Sequence, residues 1–178
     1  MKKVLIISTS PRKGGNSDML AMELMRGAIE AGNQVEYVSL IGKNIQFCRG
    51  CLTCQKTLRC VIHDDADVIR EQMLHADVIV WATPIYYYSV SGQMKTMIDR
   101  GNALYESDYQ FRDVYLLATA ADDTPTAVEG AVKVVLGWID CFDKASLKGV
   151  VFGGGVNQKG DIDHHQALTE AYTMGKSI

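Results

Sequence analysis

The stretch Val4–Ser17, VLIISTSPRKGGNS, runs from an apolar segment through a polar loop with two adjacent glycines into the start of a helical pattern. An apolar run that does not alternate suits a strand covered on both faces, as in a parallel sheet flanked by helices. The same succession recurs downstream. Strands are expected at Val4–Thr9, Val35–Leu40, Asp77–Ala82, Val114–Ala120 and Leu147–Phe152. Helical spacing covers Ser17–Ala31, about Asp65–His75, Gly92–Ala103, Val128–Phe142 and Asp163–Gly175, with TAVE at Thr126–Glu129 reading as a capping box. The alternation predicts a doubly wound α/β fold, three layers deep, with a five-stranded parallel sheet in the order 2-1-3-4-5. In such sheets ligands bind beyond the carboxyl ends of the strands, here in the loops after strands one, three and four.

The chain of 178 residues suits one domain over 1–178, with no repeat or linker to divide it. A formal charge of -3 without like-charged runs gives no general attraction to nucleic acid or anionic membranes, so small molecules are the expected partners. The apolar run Val4–Ile7 is too short for a signal peptide and is followed by Pro11, Arg12 and Lys13, so a cytoplasmic location is expected.

In the first loop, Ser10, Asn16 and Ser17 offer hydroxyl or amide donors and Arg12 a charge-assisted pair, at the positive end of a helix. Gly14 and Gly15 let the backbone approach an anion closely. A polar loop with Asn16 or Ser17 as N-cap would explain less of this density of donors. Neither GxGxxG nor GxxxxGK[ST] occurs, which favours a mononucleotide phosphate over NAD or ATP as resident ligand. After strand three, ATPIYYYSVSGQMKTMIDR (Ala82–Arg100) places aromatic side chains and the N–H groups of Ile85–Ser89 where a planar ring could sit, with simple packing as the alternative for Tyr86–Tyr88.

These two segments, with the closing GDIDHHQALTEAYTMGKSI, resemble the flavodoxin-like NAD(P)H-dependent FMN reductase family over essentially the whole chain. The resemblance implies FMN, its phosphate held by Ser10, Arg12, Asn16 and Ser17 and its ring by Pro84, Ile85, Tyr86, Tyr87 and Ser89. Thr119, Ala120 and Asp122 would close the other side of the ring. Thr9 stands where similar members often have glycine. The implied activity is an oxidoreductase passing hydride from NAD(P)H to FMN and then to a quinone, flavin, azo or nitro compound, in a homodimer or tetramer. No side-chain nucleophile is needed, and His63, His75, His164 and His165 read as surface or packing residues.

CRGCLTCQKTLRC, Cys48–Cys60, holds four of the five cysteines. Cys48, Cys51, Cys54 and Cys60 are spaced to wrap a [4Fe-4S] cluster, whereas a zinc ribbon needs wider separation between its pairs. The spacing also resembles the iron-sulfur flavoprotein branch of the family. That branch implies single-electron exchange with a ferredoxin-like donor; a flavodoxin-type carrier is a third reading. Free thiols covering the flavin or a subunit contact remain the alternative to a cluster. Cys141 reads as a helix thiol.

Overall fold

The computed structural model describes residues 1–178. Its strands are β1 (Lys3–Ser8), β2 (Gln34–Ser39), β3 (Val78–Pro84), β4 (Asp113–Thr119) and β5 (Ser146–Gly153). They form one parallel sheet in the order β2-β1-β3-β4-β5. The expected flavodoxin-like topology is therefore the observed one.

The helices are α1 (Asn16–Glu30), α2 (Thr53–Thr57), α3 (Asp65–His75), α4 (Gly92–Arg100), α5 (Glu129–Ile139) and α6 (Gln166–Lys176). Successive strand residues point to opposite faces, which divides the core in two. Val4, Ile6, Val78 and Val80 pack with Leu20 and Leu24 of α1 and Ala167 and Ala171 of α6. Leu5, Ile7, Ile79 and Trp81 pack with Met73 of α3, Met94 and Met97 of α4, and Val135 and Trp138 of α5. The non-alternating apolar runs follow from burial on both faces.

Two glycines set the depth of one layer. A Cβ on Gly27 would lie 2.1 Å from the Tyr172 carbonyl oxygen, and one on Gly175 would lie 2.1 Å from that of Leu24. With hydrogens at these positions, the backbones of α1 and α6 come into direct contact.

Several ends differ from expectation. Pro125–Val128 is a 3₁₀ turn, so Thr126 lies inside it and caps nothing; Val128 precedes α5 without a side-chain cap. Helix α4 stops at Arg100, and a further 3₁₀ turn covers Gly101–Leu104. Helix α6 begins later than Asp163, with His165 Nδ1 accepting from Ala167 N at 3.0 Å. The five-residue α2 is too short to show a helical period, and left-handed Leu52 and Leu58 bracket it.

The long connection from β2 to α3 is anchored by Arg100, whose side chain is fully buried. Its Nη1 donates to Asp64 Oδ2 at 2.6 Å and to the Gln46 carbonyl at 2.9 Å, and its Nη2 to the Ile62 carbonyl at 2.9 Å. Asp64 also accepts from Gln46 N and caps α3 at Ala66 N. One ion pair thus closes both ends of the cysteine segment. No helix is long and apolar enough to cross a membrane.

Candidate functional site

At the carboxyl ends of β1, β3, β4 and β5 lies a cleft. Its wall includes Ser10, Arg12, Asn16 and Ser17 from the first loop, Pro84, Ile85 and Tyr86 from the third, and Thr119 and Ala120 from the fourth. The strand order alone brings these segments together, because the crossovers leave in opposite directions on either side of β1.

The first loop is built on a buried carboxylate. Asp18 Oδ2 accepts from Gly14 N at 2.8 Å, while its Oδ1 accepts from the Ser8 and Tyr37 hydroxyls. Gly14 has φ of 64°, a left-handed conformation that glycine adopts without a steric penalty. Gly15, and neither Asn16 nor Ser17, precedes α1 as N-cap, and it supplies no side-chain cap. The N–H groups of Asn16 and Ser17 consequently have no acceptor within the protein. A Cβ at Gly15 would come to 2.8 Å from Ser10 Oγ and 3.1 Å from the Arg12 carbonyl oxygen, so a side chain here would displace the Ser10 hydroxyl.

Beneath the cleft, Thr9 joins the first and third loops. Its hydroxyl donates to the Ala82 carbonyl and accepts from Ser91 Oγ at 2.9 Å, while Ser91 N donates to Thr83 Oγ1. Ser91 also caps α4. The Thr9 hydroxyl thus takes part in a buried hydroxyl network.

Reading the sequence missed the loop after β5. Val156, Asn157 and Lys159 also line the cleft, as does Ala121. Arg12 Nη1 donates to the Asn157 carbonyl at 2.9 Å. The Asn16 amide, expected to face a ligand, is used at both ends instead, donating to the Gln158 carbonyl and accepting from Gly160 N. Asn16 is therefore a tie between two loops, contributing its backbone N–H to the cleft. The signal that could have identified the fifth loop is the GGG run, Gly153–Gly155, at the carboxyl end of the last strand.

The lining contains two cations, Arg12 and Lys159, and no carboxylate. Lys159 has no ion-pair partner. With the free N–H groups and the Ser17 hydroxyl, this is the donor set of an anion site. Beside it, Pro84, Ile85 and Tyr86 make an apolar wall next to Thr119–Ala121, with Ile85 N donating to the Thr119 carbonyl at 2.7 Å. The pairing of a phosphate-like donor set with a neighbouring apolar slot matches the chemistry of FMN.

Three of the expected residues lie outside this wall. Tyr87 is fully exposed, and Ser89 pairs its backbone with Tyr86. Asp122 accepts from the Tyr88 hydroxyl at 3.0 Å and from Thr124. The Thr124 N–H and hydroxyl, then the Tyr88 phenol, hold the Asp122 carboxyl below its ordinary value, and the same contact raises Tyr88 above its own. Asp122 fastens the rim of the cleft.

The cysteines do not gather. No three His, Cys, Asp or Glu side chains come close enough to hold a metal ion. Cys54 is buried on α2, with its sulfur accepting from Asn102 Nδ2 at 3.3 Å, while Cys48 and Cys51 are exposed. Cys48 and Cys60 accept from the N–H groups of Gly50 and Ile62. As they stand here, Cys48, Cys51, Cys54 and Cys60 form no metal-binding group, and left-handed Leu52 and Leu58 lie among them. Hydrogen bonds from the Thr53 N–H and hydroxyl lower the Cys51 thiol below its ordinary value. Of the histidines, His63 and His75 lie at the surface beside the Asp67 and Glu71 carboxylates, and His165 caps α6.

The family model described as NADPH-dependent FMN reductase matches residues 2–161. An iron-sulfur flavoprotein of Methanocaldococcus jannaschii is 39% identical over 102 residues, 57% of this chain and 53% of that protein. An iron-sulfur flavoprotein of Archaeoglobus fulgidus is 39% identical over 100 residues, 56% of this chain and 45% of its own length. The chain thus spans about half the length of these relatives. The Bacillus subtilis protein YwqN, named as an NAD(P)H-dependent FMN-containing oxidoreductase, is 31% identical over 98% of this chain and 97% of its own. Among solved structures, an azoreductase from Bacillus anthracis superposes with a TM-score of 0.75 at 20% identity, covering 100% of both chains. An NAD(P)H:quinone oxidoreductase from Methanothermobacter marburgensis superposes with a TM-score of 0.75 at 18% identity, covering 99% of this chain and 95% of that one. At such identities the likeness is one of fold.

Proposed function

Because the chain belongs to the NADPH-dependent FMN reductase family, we propose that it holds FMN in this cleft and uses it to oxidise NADPH or NADH at the expense of a small acceptor. Bound there, FMN would supply the capacity to take hydride from a nicotinamide and to release electrons to a quinone, flavin, azo or nitro compound.

The observation that carries this reading is the donor set of the first and fifth loops: free N–H groups at Asn16 and Ser17, two cations, and no lining carboxylate. Arg12 and Lys159 would neutralise the phosphate, and the Asn157 carbonyl would keep the Arg12 guanidinium directed along the cleft. Pro84, Ile85 and Tyr86 would exclude water from one side of the ring. No side chain in the cleft needs to act as a nucleophile.

The purified protein is expected to show flavin absorption or to acquire it on adding FMN. Arg12→Ala should weaken FMN binding by about tenfold or more, the value of a charge-assisted hydrogen bond, while riboflavin, lacking the phosphate, should be little affected. Fluorescence titration of both ligands measures this; equal losses for FMN and riboflavin would contradict a phosphate role for Arg12.

Asp18 supports the same loop from below. Asp18→Asn replaces one acceptor oxygen by an NH₂ group that must face either the Gly14 N–H or the Ser8 and Tyr37 hydroxyls. The expected loss is about 1–3 kcal/mol of stability, with FMN affinity falling more than riboflavin affinity. Urea unfolding and the paired titrations read the two effects separately.

A second reading, the iron-sulfur flavoprotein, is favoured by the Cys48–Cys60 spacing and by the names of the relatives that match half of their own length. It requires the four thiols to come together, which they do not do in this structure. Iron and acid-labile sulfide assayed on protein prepared without oxygen distinguish it from an FMN-only reductase.

A further inference from the structure

We propose that Tyr87 is a stacking platform for a flat, conjugated electron acceptor at the mouth of the cleft, an assignment that rests on the FMN reductase reading above. Tyr86–Ser89 is a tight turn in which Tyr86 N donates to the Ser89 carbonyl at 3.0 Å and Ser89 N to the Tyr86 carbonyl at 3.1 Å. Its central residues, Tyr87 and Tyr88, have φ of 49° and 59°. Turns of this hand are ordinarily built from Asn, Asp or Gly, because a Cβ is crowded in the left-handed region. Two consecutive tyrosines therefore work against the local backbone preference.

For Tyr88 the fold supplies compensation. Its phenol donates to Asp122 Oδ2, and its carbonyl oxygen lies where a Cβ on Gly130 would approach to 1.9 Å. For Tyr87 it supplies none, since that side chain is fully exposed and forms no hydrogen bond within the protein. Tyr86 on one side lines the cleft, and Tyr88 on the other reaches Asp122 beside the cleft-lining Ala121. Tyr87 thus stands on the rim, held out in water by a backbone clamped from both sides.

Strain that persists because neighbours enforce it, at the edge of a ligand cleft, is characteristic of a position retained for what it contacts. An aromatic face in that place recognises another flat ring by offset stacking. A quinone or similar conjugated acceptor offers such a ring; a compact hydrated anion does not.

The test is steady-state kinetics of the FMN-loaded protein with NADPH or NADH, using menadione as the flat acceptor and ferricyanide as one that cannot stack. Tyr87→Gly is expected to raise the KM for menadione about threefold to tenfold. It should leave the KM for ferricyanide and the FMN dissociation constant unchanged, while Tyr87→Phe behaves as the parent. Relief of the left-handed strain should also raise the Tm of Tyr87→Gly by about 2–4 °C. An unchanged menadione KM overturns the proposal. So does an equal rise for both acceptors, or a loss of FMN affinity, either of which would assign Tyr87 to the cofactor. A switch from dimer to monomer on sedimentation without a selective menadione effect also overturns it, by showing that a second copy covers the ring. If the parent protein neither binds FMN nor oxidises reduced nicotinamide, the underlying FMN reductase reading itself fails.

Discussion

Arg100→Ala is expected to cost about 3–5 kcal/mol of stability, the cost of breaking a buried ion pair and leaving one partner uncompensated. The substitution abandons Asp64, whose side chain is 1% exposed, and removes the donors to the Gln46 and Ile62 carbonyls. Both ends of the cysteine segment are released together. Urea unfolding would register the effect as a lower midpoint, and limited proteolysis should cleave first between Gln46 and Ile62. Arg100→Lys keeps the charge without the planar fork that reaches three acceptors, so it should recover only part of the loss. A cost below about 1 kcal/mol for Arg100→Ala would place the pair among ordinary surface contacts.

The same pair makes stability sensitive to acid. Burial by itself would raise the Asp64 carboxyl, but the Arg100 hydrogen bond, the N–H groups of Gln46 and Ala66, and the Arg100 charge together hold it below its ordinary 3.8. With the folded value depressed, the unfolded chain binds the proton first, so stability rises with pH through this range. The contribution is full above the ordinary value and disappears as pH falls through the depressed one. In Asp64→Asn, this part of the acid dependence should vanish from unfolding curves.

Gly130→Ala is the second large effect, and it links packing to the cleft. The added Cβ would meet the Tyr88 carbonyl oxygen at 1.9 Å and its carbon at 3.1 Å, both backbone atoms that no rotamer change can move. Either α5 or the Tyr86–Ser89 turn must shift, at a cost of about 1–3 kcal/mol or more. A displaced turn also disturbs the Tyr88–Asp122 hydrogen bond and the Ile85–Tyr86 wall, so FMN affinity should fall together with stability. Gly137 on the same helix is the control, because a Cβ there meets nothing within 4 Å. Gly137→Ala should gain about 0.5–1 kcal/mol from helix propensity and leave FMN binding unchanged. Thermal melts and FMN titrations of the two variants make the comparison; similar losses in both would contradict the close approach at Gly130.

Much of the fold was legible because burial on both faces writes an unbroken apolar run, and five such runs alternating with helical spacing admit few topologies. The carboxyl-end rule then located the cleft, and residues such as Ser10, Pro84 and Thr119 lie on its wall. The ends of α5 and α6 were less legible, because Pro125 starts a 3₁₀ turn and a histidine supplies the cap of α6. Position 100 is a sharper case. The final arginine of MKTMIDR reads as an ordinary basic residue near a helix end, and only the returning chain, bringing Gln46, Ile62 and Asp64 around it, makes it a buried anchor.

Local pattern therefore accounts for the layers and for the position of the first and third loops, since these depend on periodicities of a few residues, and the alternation of strands and helices favours the observed strand order. It could not account for the partners of side chains. Asn16 has the chemistry of a phosphate donor, yet the fifth loop, about 140 residues away in sequence, takes both ends of its amide. Lys159 reaches the cleft through that same loop. The cysteine spacing allows a cluster, while in this structure the thiols form no metal-binding group. A hydrogen bond goes to whichever group the completed fold brings within about 3 Å, and that distance is set by contacts far apart along the chain.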